Sequence, residues 1–543
     1  MRRLLPLFFF LPLLAGCPKG NTEAVKAPEP GGVRFSEVAK TAGINFAWTA
    51  PGKRPLNILQ TIGNGCAFLD YDNDGNLDIL LVGPKPALYK GDGKGKFTDA
   101  TAALGGISGY FLGCAVGDID NDGFPDIYLS GFREARLLKN QGGKSFTDIT
   151  AQVGLKPQPW GTSCGFDDLD GDGYLDLVVC NYAHFGPEVE PQLCRFKTQA
   201  HGDVLSSCGP KYYKGLPSVV YKNQAGKRFD DVTKPWGFTE WSGRALGVSF
   251  ARLDGQTHPC VIVANDEARG DFFAPTTAGK WENQGETSGA GYDRDGNVHG
   301  GMGVDFGDYN NDQKLDAIVA TFRNEVKNLY TNEGEGSFVD KSANVGVSVA
   351  LKPYVAFGIK FLDADNDGFL DLLVTNGHVQ DNIEIIEDTT YRQPLQFLES
   401  EKGTKFTEHT KDALQGIGGS IVGRGMATGD FDNDGHMDAL VVDSEGTPLL
   451  LHNDTPTENA WLGVRLVEKG RDAYGATVTA KYGNTSIIRQ CQSAGSYLSA
   501  SDSRVLLGLP GATSVTLTIR WADGKEETRT VDKLKTYITV TRA

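Results

Sequence analysis

The residues best able to do chemistry in this chain are aspartates, and they come at fixed spacing. Asp70, Asp72, Asp74 and Asp78 surround Gly75 in the stretch Asp70-Tyr71-Asp72-Asn73-Asp74-Gly75-Asn76-Leu77-Asp78. Carboxylates this close repel one another unless a cation sits among them. A hard divalent ion that takes six to eight oxygens at about 2.3–2.6 Å removes the repulsion. In this reading Asp70, Asp72, Asp74 and Asp78 offer side-chain oxygens and Asn76 its backbone carbonyl. Gly75 allows the positive φ of a tight wrap. The ion expected is calcium.

An EF-hand loop begins in the same way, but it needs a bidentate Glu at position 12 and a helix after it. Position 12 here is Leu81, and Leu77 to Val82 is a short apolar run that reads as a buried strand. The loop therefore joins two strands.

The loop recurs. Asp118, Asp120, Asp122 and Asp126 form a second copy, and Asp168, Asp170, Asp172 and Asp176 a third. Two later copies are Asp363, Asp365, Asp367, Asp371 and Asp430, Asp432, Asp434, Asp438. Asp308, Asn310, Asp312 and Asp316 make a weaker site, with Gln313 in the place of Gly. A seventh copy is hidden at Arg252-Leu253-Asp254-Gly255, where only Asp254 keeps its carboxylate and Arg252 brings a positive charge. The expectation is six calcium sites and one repeat without metal.

These loops need elements to hold them. Their first positions fall at 70, 118, 168, 252, 308, 363 and 430, a basic period of about 50 residues that suits four-stranded propeller blades. Most loops are followed by a second signature, such as Leu88-Tyr89-Lys90 to Phe97-Thr98-Asp99, that reads as an outer hairpin. The ends do not match: Phe35-Ser36-Glu37-Val38 has no loop before it, and Leu449 to Asn453 has no Phe tail after it. Residues near 33–38 are expected to pair with those near 447–453 and close the ring, which removes two open sheet edges.

Composition agrees. Gly is 69 of 543 residues, roughly twice ordinary usage, as many tight turns require. The net charge of −16 argues against nucleic acid as a partner, and the loops account for much of it. At the N-terminus Met1-Arg2-Arg3 precedes an apolar run, Leu4 to Leu14, too short to span a bilayer, and the run closes on Leu14-Ala15-Gly16-Cys17. This resembles a bacterial lipobox. Residues 1–16 then read as a signal peptide, Cys17 as the lipidated residue and 17–32 as a tether. The chain would be anchored in the cell envelope, periplasmic or at the surface.

Cys66, Cys114 and Cys164 stand four residues before a first Asp, but other repeats place Val248, Val304, Ile359 and Met426 there. The slot is inward and apolar, and Cys fills it as a small hydrophobe. Cys180, Cys260 and Cys491 read as single buried thiols. An insertion at about 181–217 holds Cys194 and Cys208, which in an exported protein suggests a disulfide. A second insertion, at about 376–396, brings His378, Tyr391 and Arg392, a possible ligand site or simply loop anchors. His299 supports no stronger claim. No Ser/His/Asp elbow, phosphate-cradling Gly loop or His-metal spacing is present, so no catalytic residue is assigned.

From residue 456 on, the acidic loops stop. Leu462 to Leu466, Ala476 to Ala480, Ser514 to Trp521 and Tyr537 to Val540 read as short strands, with a hairpin turn at Ala522-Asp523-Gly524-Lys525. Residues 456–543 are expected to form a separate small β domain, sandwich-like, after a seven-bladed β-propeller over 33–455. The whole is all-β.

The Asp-rich repeats resemble the FG-GAP/VCBS repeats of integrin α-chain propellers. Arg471-Asp472-Ala473-Tyr474-Gly475-Ala476, Gly495-Ser496-Tyr497-Leu498-Ser499, Leu507-Gly508-Leu509 and Arg520-Trp521-Ala522-Asp523-Gly524 resemble the ASPIC/UnbV domain. Together they resemble bacterial members of the cartilage acidic protein family. Asn376-Gly377-His378 and the Cys194/Cys208 insertion are also similar to that family. The resemblance implies an extracellular calcium-binding propeller linked to adhesion. The favoured function is a membrane-anchored binding module that recognises glycan or protein. The alternatives are an envelope enzyme acting on polysaccharide, working through His378, Arg392 or Arg252, and a structural envelope component.

Overall fold

The computed structural model describes residues 32–253 and 256–542. Cys17, the signal segment and most of the tether lie outside the described residues, as do Asp254 and Gly255. No helix among the described residues is long and apolar enough to cross a membrane.

Each repeat folds as a four-stranded antiparallel sheet. In the first, Cys66–Leu69 and Asp78–Leu81 flank the Asp loop, and Ala87–Gly91 and Phe97–Asp99 form the outer hairpin. The first two strands are buried along their whole length, which is why they read as unbroken apolar runs without polar alternation. Seven sheets of this kind follow one another. Their first strands lie side by side round a closed ring, the last against the first. The fold is a β-propeller. Phe35–Glu37 pairs with Leu449–Asn453, in register Phe35 with Asn453 and Glu37 with Leu451, so the N-terminal tail completes the last sheet.

Every Asp loop lies at the same end of the ring. At the other end two insertions clasp each other. The first carries a hairpin, Cys194–Thr198 with Gly202–Ser206, and the Cys194–Cys208 disulfide. The second reaches it through Asn382, which bonds Ser206 Oγ and Leu205 O, and through Gln380, which bonds Ser207 O.

The C-terminal region forms two four-stranded sheets. Ala460–Glu468 pairs with Val505–Leu509 and, in parallel, with Thr536–Thr541. Thr477–Tyr482 lies between Thr485–Gln490 and Val515–Arg520. This region packs directly on the propeller. Its apolar side chains share one cluster with those of the second and third propeller sheets. The segment Ala494–Ala500 runs into the ring itself. Ala500 pairs with Ala67, Ser496 exchanges two backbone bonds with Val304, and Leu498 O accepts from Cys114 N. Tyr497, fully buried, reaches Ile62 O at 2.9 Å and packs edge-on against Phe357 at 4.9 Å. Ser496 and Leu498 hold positive φ of 59° and 57°, a strained geometry for non-glycine residues. A Cβ on Gly65 would lie 1.8 Å from Leu498 O, so the ring gives up a side chain to admit the plug.

The shift from a short-range alternating pattern to a long-range plug is what sequence could not show. A consequence is testable. Tyr497→Ala removes a fully buried aromatic and should cost about 3–5 kcal/mol. Urea unfolding followed separately by signals from the ring and the C-terminal sheets should still show one shared transition. Two separate transitions in the unmodified chain would disprove the coupling.

Candidate metal sites in the aspartate loops

The first Asp of each loop turns inward and holds the loop's own amides. Asp70 accepts from Asp74 N and Gly75 N, and Asp430 from Asp434 N and Gly435 N. In the weaker copy Asp308 accepts from Gln313 N, and Gln313 has φ 72° where the other loops have Gly. Position 4 is also left-handed, at Asn73, Asn121, Asn311, Asn366 and Asn433. These Asn side chains reach the next loop: Asn121 to Gly173 O, Asn311 to Gly368 O, Asn366 to Gly435 O, and Asn433 back to Asn76. The loops are thus chained along the rim. The sequence carries this signal as a recurring Asn or Gly at position 4.

The fourth Asp does more than sequence suggested. Asp126 accepts from Ile119 N through one oxygen and Asn140 N through the other. Asp78, Asp176, Asp316, Asp371 and Asp438 make the same pair of bonds, from position 2 of the loop and from the third strand. Each is buried, so it staples its loop to the sheet whether or not an ion is near.

Burial and mutual repulsion leave these acids poorly compensated. Burial pushes the carboxyls of Asp78, Asp126, Asp316 and Asp363 up to about 8, against the opposing pull of their backbone donors. Asp70, Asp168, Asp308 and Asp430 rise to about 6 for the same first reason. Several groups place their oxygens within 4.8 Å of one another: Asp70, Asp72, Asp78; Asp118, Asp120, Asp122; Asp168, Asp170, Asp176; Asp363, Asp365, Asp367; and Asp432, Asp434 with His452. Asp72 Oδ1, Asp120 Oδ1, Asp363 Oδ1 and Asp432 Oδ1 are buried without a hydrogen-bond partner. An oxygen in that state is costly, and a cation is the partner it lacks. These clusters can hold a metal ion, and the all-oxygen donor sets of the four that contain only aspartates suit calcium.

The third strand supplies a further residue to most loops. Lys90 pairs with Asp72 and Asp74, Lys139 with Asp120 and Asp122, and Lys222 with Asp170 and Asp172. The last loop has His452, 3.0 Å from Asp432. In the sixth sheet the same place holds Glu399, half-buried, its carboxyl raised by burial and by Asp365.

In the fourth sheet Arg252 does the work of a cation. Its Nη2 lies 2.9 Å from Asp167 Oδ1 and donates to Asp168 O, its Nε donates to Thr257 O, and the pair is almost fully buried.

The C-terminal sheets lie across this face and bring more arginine. Arg471 approaches Asp168 at 3.8 Å, Arg489 donates to Gly368 O, and Arg504 donates to Asp430 O. Tyr537 donates to Asp430 Oδ2 at 2.7 Å.

An FG-GAP-like repeat model matches residues 70–129, 122–179 and 308–374, and an ASPIC and UnbV model matches residues 466–543. The chain carries FG-GAP-like repeats and an ASPIC and UnbV domain. The repeat model passes over the Arg252 loop and also over the Asp430 loop, which keeps all four aspartates. No curated protein matches the chain. Among solved structures, an Agrocybe aegerita lectin that recognises non-reducing terminal N-acetylglucosamine is 14% identical over 72% of this chain and 94% of its own, with TM-score 0.41. YCF48 bound to D1 peptide is 11% identical over 75% and 97%, TM-score 0.38, and BBS1N in complex with ARL6DN is 10% identical over 75% and 97%, TM-score 0.39. At such scores the architecture rests on the strand pairing itself.

The second insertion brings His378, Tyr391 and Arg392 together, with His378 N donating to Tyr391 O and Gly377 bridging to Arg392. Tyr391 OH donates to Glu445 Oε1, and Arg392 donates to Asp443 Oδ2 and Glu445 O. Both are anchors for the second insertion. His378 is buried, accepts from Gln380 N, and is held neutral by burial with Arg323 and Arg424 nearby. His299 faces Asp293 at 2.9 Å. Cys66, Cys114, Cys164, Cys180, Cys260 and Cys491 are all buried.

Two measurements follow from the FG-GAP loops. Asp126→Asn should cost about 1–3 kcal/mol in chelator, because one backbone donor then faces an NH2 group, whereas Asp120→Asn should cost little there. Equal effects would remove the staple role. The raised carboxyls also fix a sign. A group whose folded pKa lies above its unfolded value stabilises while protonated and loses that contribution as pH rises through the folded value. Chelated protein should therefore lose stability as pH rises from about 4 to about 8, read by denaturant midpoint.

Proposed function

We propose that this chain is a calcium-loaded, seven-bladed propeller that serves as an extracytoplasmic binding module. It would be held to a membrane through lipidated Cys17 and would recognise glycan or protein with its loops. The observation that carries the calcium reading is the set of orphaned, buried carboxylate oxygens on Asp72, Asp120, Asp363 and Asp432, recurring in repeated loops. Asp70, Asp118, Asp168, Asp308, Asp363 and Asp430, with their partners in each loop, would hold the ions, and the Arg252 sheet would take none. Bound calcium supplies positive charge that neutralises the loop. The residues of the chain then do the rest: the first Asp orders the amides, the fourth fixes the loop to its sheet, and position 4 passes the order to the next loop.

The loops are not equal in this reading. Lys90, Lys139 and Lys222 already neutralise part of their loops, so an entering ion must displace an ammonium. Glu399 adds charge to the Asp363 loop, which has no third-strand lysine, and the cation beside Asp363 is Arg489 of the C-terminal sheets. The Asp363 loop is therefore the tightest of the six. The Asp308 loop is weak because Gln313 pays backbone strain and Asn310 replaces a carboxylate.

Calcium titration of the full chain, read by melting temperature and calorimetry, tests this. The midpoint should rise with calcium. Lys139→Thr should tighten one site several-fold, and Glu399→Gln should weaken the tightest. A chain with no calcium response would sink the reading. Retention on a panel of polysaccharides and envelope proteins, with calcium and with chelator, tests the binding role. New chain ends on a polysaccharide would point to an enzyme instead.

A further inference from the structure

A second kind of site lies at the end of the ring opposite the Asp loops. A cavity of about 180 Å³ opens there on the propeller axis. Its walls come from the entries of the first strands and the exits of the second, notably Leu246, Met302, Phe322 and Phe357. Tyr497 of the plug packs against Phe357 and Ile62 at its inner end. Cys208 and Phe196 of the disulfide-tied insertion line the other side.

The chemistry of this lining is one-sided. Asp266 and Glu267 are its only charged residues, and no Lys, Arg or His is among those that line it. The guanidinium of Arg244 is spent on the carbonyls of Asp266 and Glu267 at 2.8 and 2.9 Å, and Lys211 Nζ lies 3.6 Å from Glu267 Oε2. Asp266 holds one hydrogen bond at Oδ2, from Tyr182 OH at 2.5 Å. Burial, with the charges of Glu267 and Glu325 adding, pushes its carboxyl up to about 7. Arg244 and Glu267 both sit at positive φ, 58° and 48°, strain that clusters where a site is being held in shape. The hydroxyl and amide donors of the lining are engaged inside the protein: Thr61 Oγ on Ile58 O, Ser207 Oγ on Cys208 O and Gln380 on Ser207 O. What the cavity offers is aromatic faces, apolar walls and the carboxyl of Asp266, whose side-chain hydrogen bond comes from a neutral hydroxyl.

We propose that this axial cavity binds a small organic cation, an ammonium group carried on an apolar body, with Asp266 facing the charge, Glu267 at the cavity edge, and Phe322 and Tyr182 facing its alkyl surface. Cations over aromatic faces in a desolvated site bind better than their neutral isosteres, and apolar pockets with a few convergent polar groups are the usual form of small-molecule sites. A neutral sugar fits poorly, because its hydroxyls would meet few free donors. The inference does not depend on calcium and goes beyond the loop-borne recognition proposed above.

The test uses the full chain and three probes: choline, benzyltrimethylammonium, and 3,3-dimethylbutan-1-ol, the uncharged carbon analogue of choline. Calorimetry at millimolar probe should show one site for at least one cation and binding about tenfold or more weaker for the neutral analogue. Asp266→Asn, which keeps an acceptor for Tyr182, should weaken the cation by a similar factor. Glu267→Gln, at the cavity edge, gives a second reading should Asp266→Asn unfold, and melting curves identify that case. Binding of neither cation, equal binding of choline and its neutral analogue, or unchanged binding in a folded Asp266→Asn chain would each overturn the proposal.

Discussion

Buried carboxylate charge is the constraint on which this structure depends. The fourth Asp of each loop sits at the start of a second strand with both oxygens committed to backbone donors. Those two bonds fix the loop's entry and tie it to the third strand, so the sheet cannot form with the loop in another conformation. Yet each such acid is placed within reach of two or three more. Coulomb repulsion inside a protein is several times stronger than in water, and the rim must be neutralised for the ring to persist. The chain does this three ways: lysines from the third strands, a buried arginine in the fourth sheet, and arginines from the C-terminal sheets. The orphaned oxygens mark what these leave undone.

The C-terminal domain follows from the same constraint. It lies on the acidic end of the ring, and Arg471, Arg489 and Arg504 reach individual loops there. Its plug then uses hydrogen bonds that the inner strands leave open. Inner strands of a ring have one face toward the axis, with backbone groups that need partners. Leu498 and Ser496 provide them for Cys114 and Val304. Charge holds the domain to the face and the plug holds it to the axis, so the two parts form one unit.

Much of the fold was legible because its information is local. The loop motif, the apolar runs beside it and the Phe tails set the repeat, the strand order and the closure of Phe35–Glu37 onto the last sheet. The Arg252 loop was legible as a repeat too, from its frame between two apolar runs. What sequence did not show is non-local. Gly495 to Ser499 stands out as a motif, but nothing nearby says that it enters a channel built from residues 66 to 429. Tyr391 and Arg392 attract attention as residue types, but their side chains are engaged by Glu445 and Asp443, some fifty residues on in the chain. The second role of the fourth Asp was hidden because one carboxylate can serve an ion and two amides with different lone pairs.

The two ends of the ring are therefore built on opposite principles. At the loop end, charge is dense, local and repeated, and each acid has close neighbours of the same kind. At the other end, Asp266 and Glu267 are few and lie among aromatic and aliphatic side chains, under insertions that interrupt the repeat. Repetition stabilises a ring but gives every sheet the same surface, so recognition of one ligand requires a break in symmetry. The breaks here are the 181–217 and 376–396 insertions and the C-terminal plug, and all three converge on the axial cavity. That convergence separates the part of the molecule that keeps the ring closed from the part free to be specific.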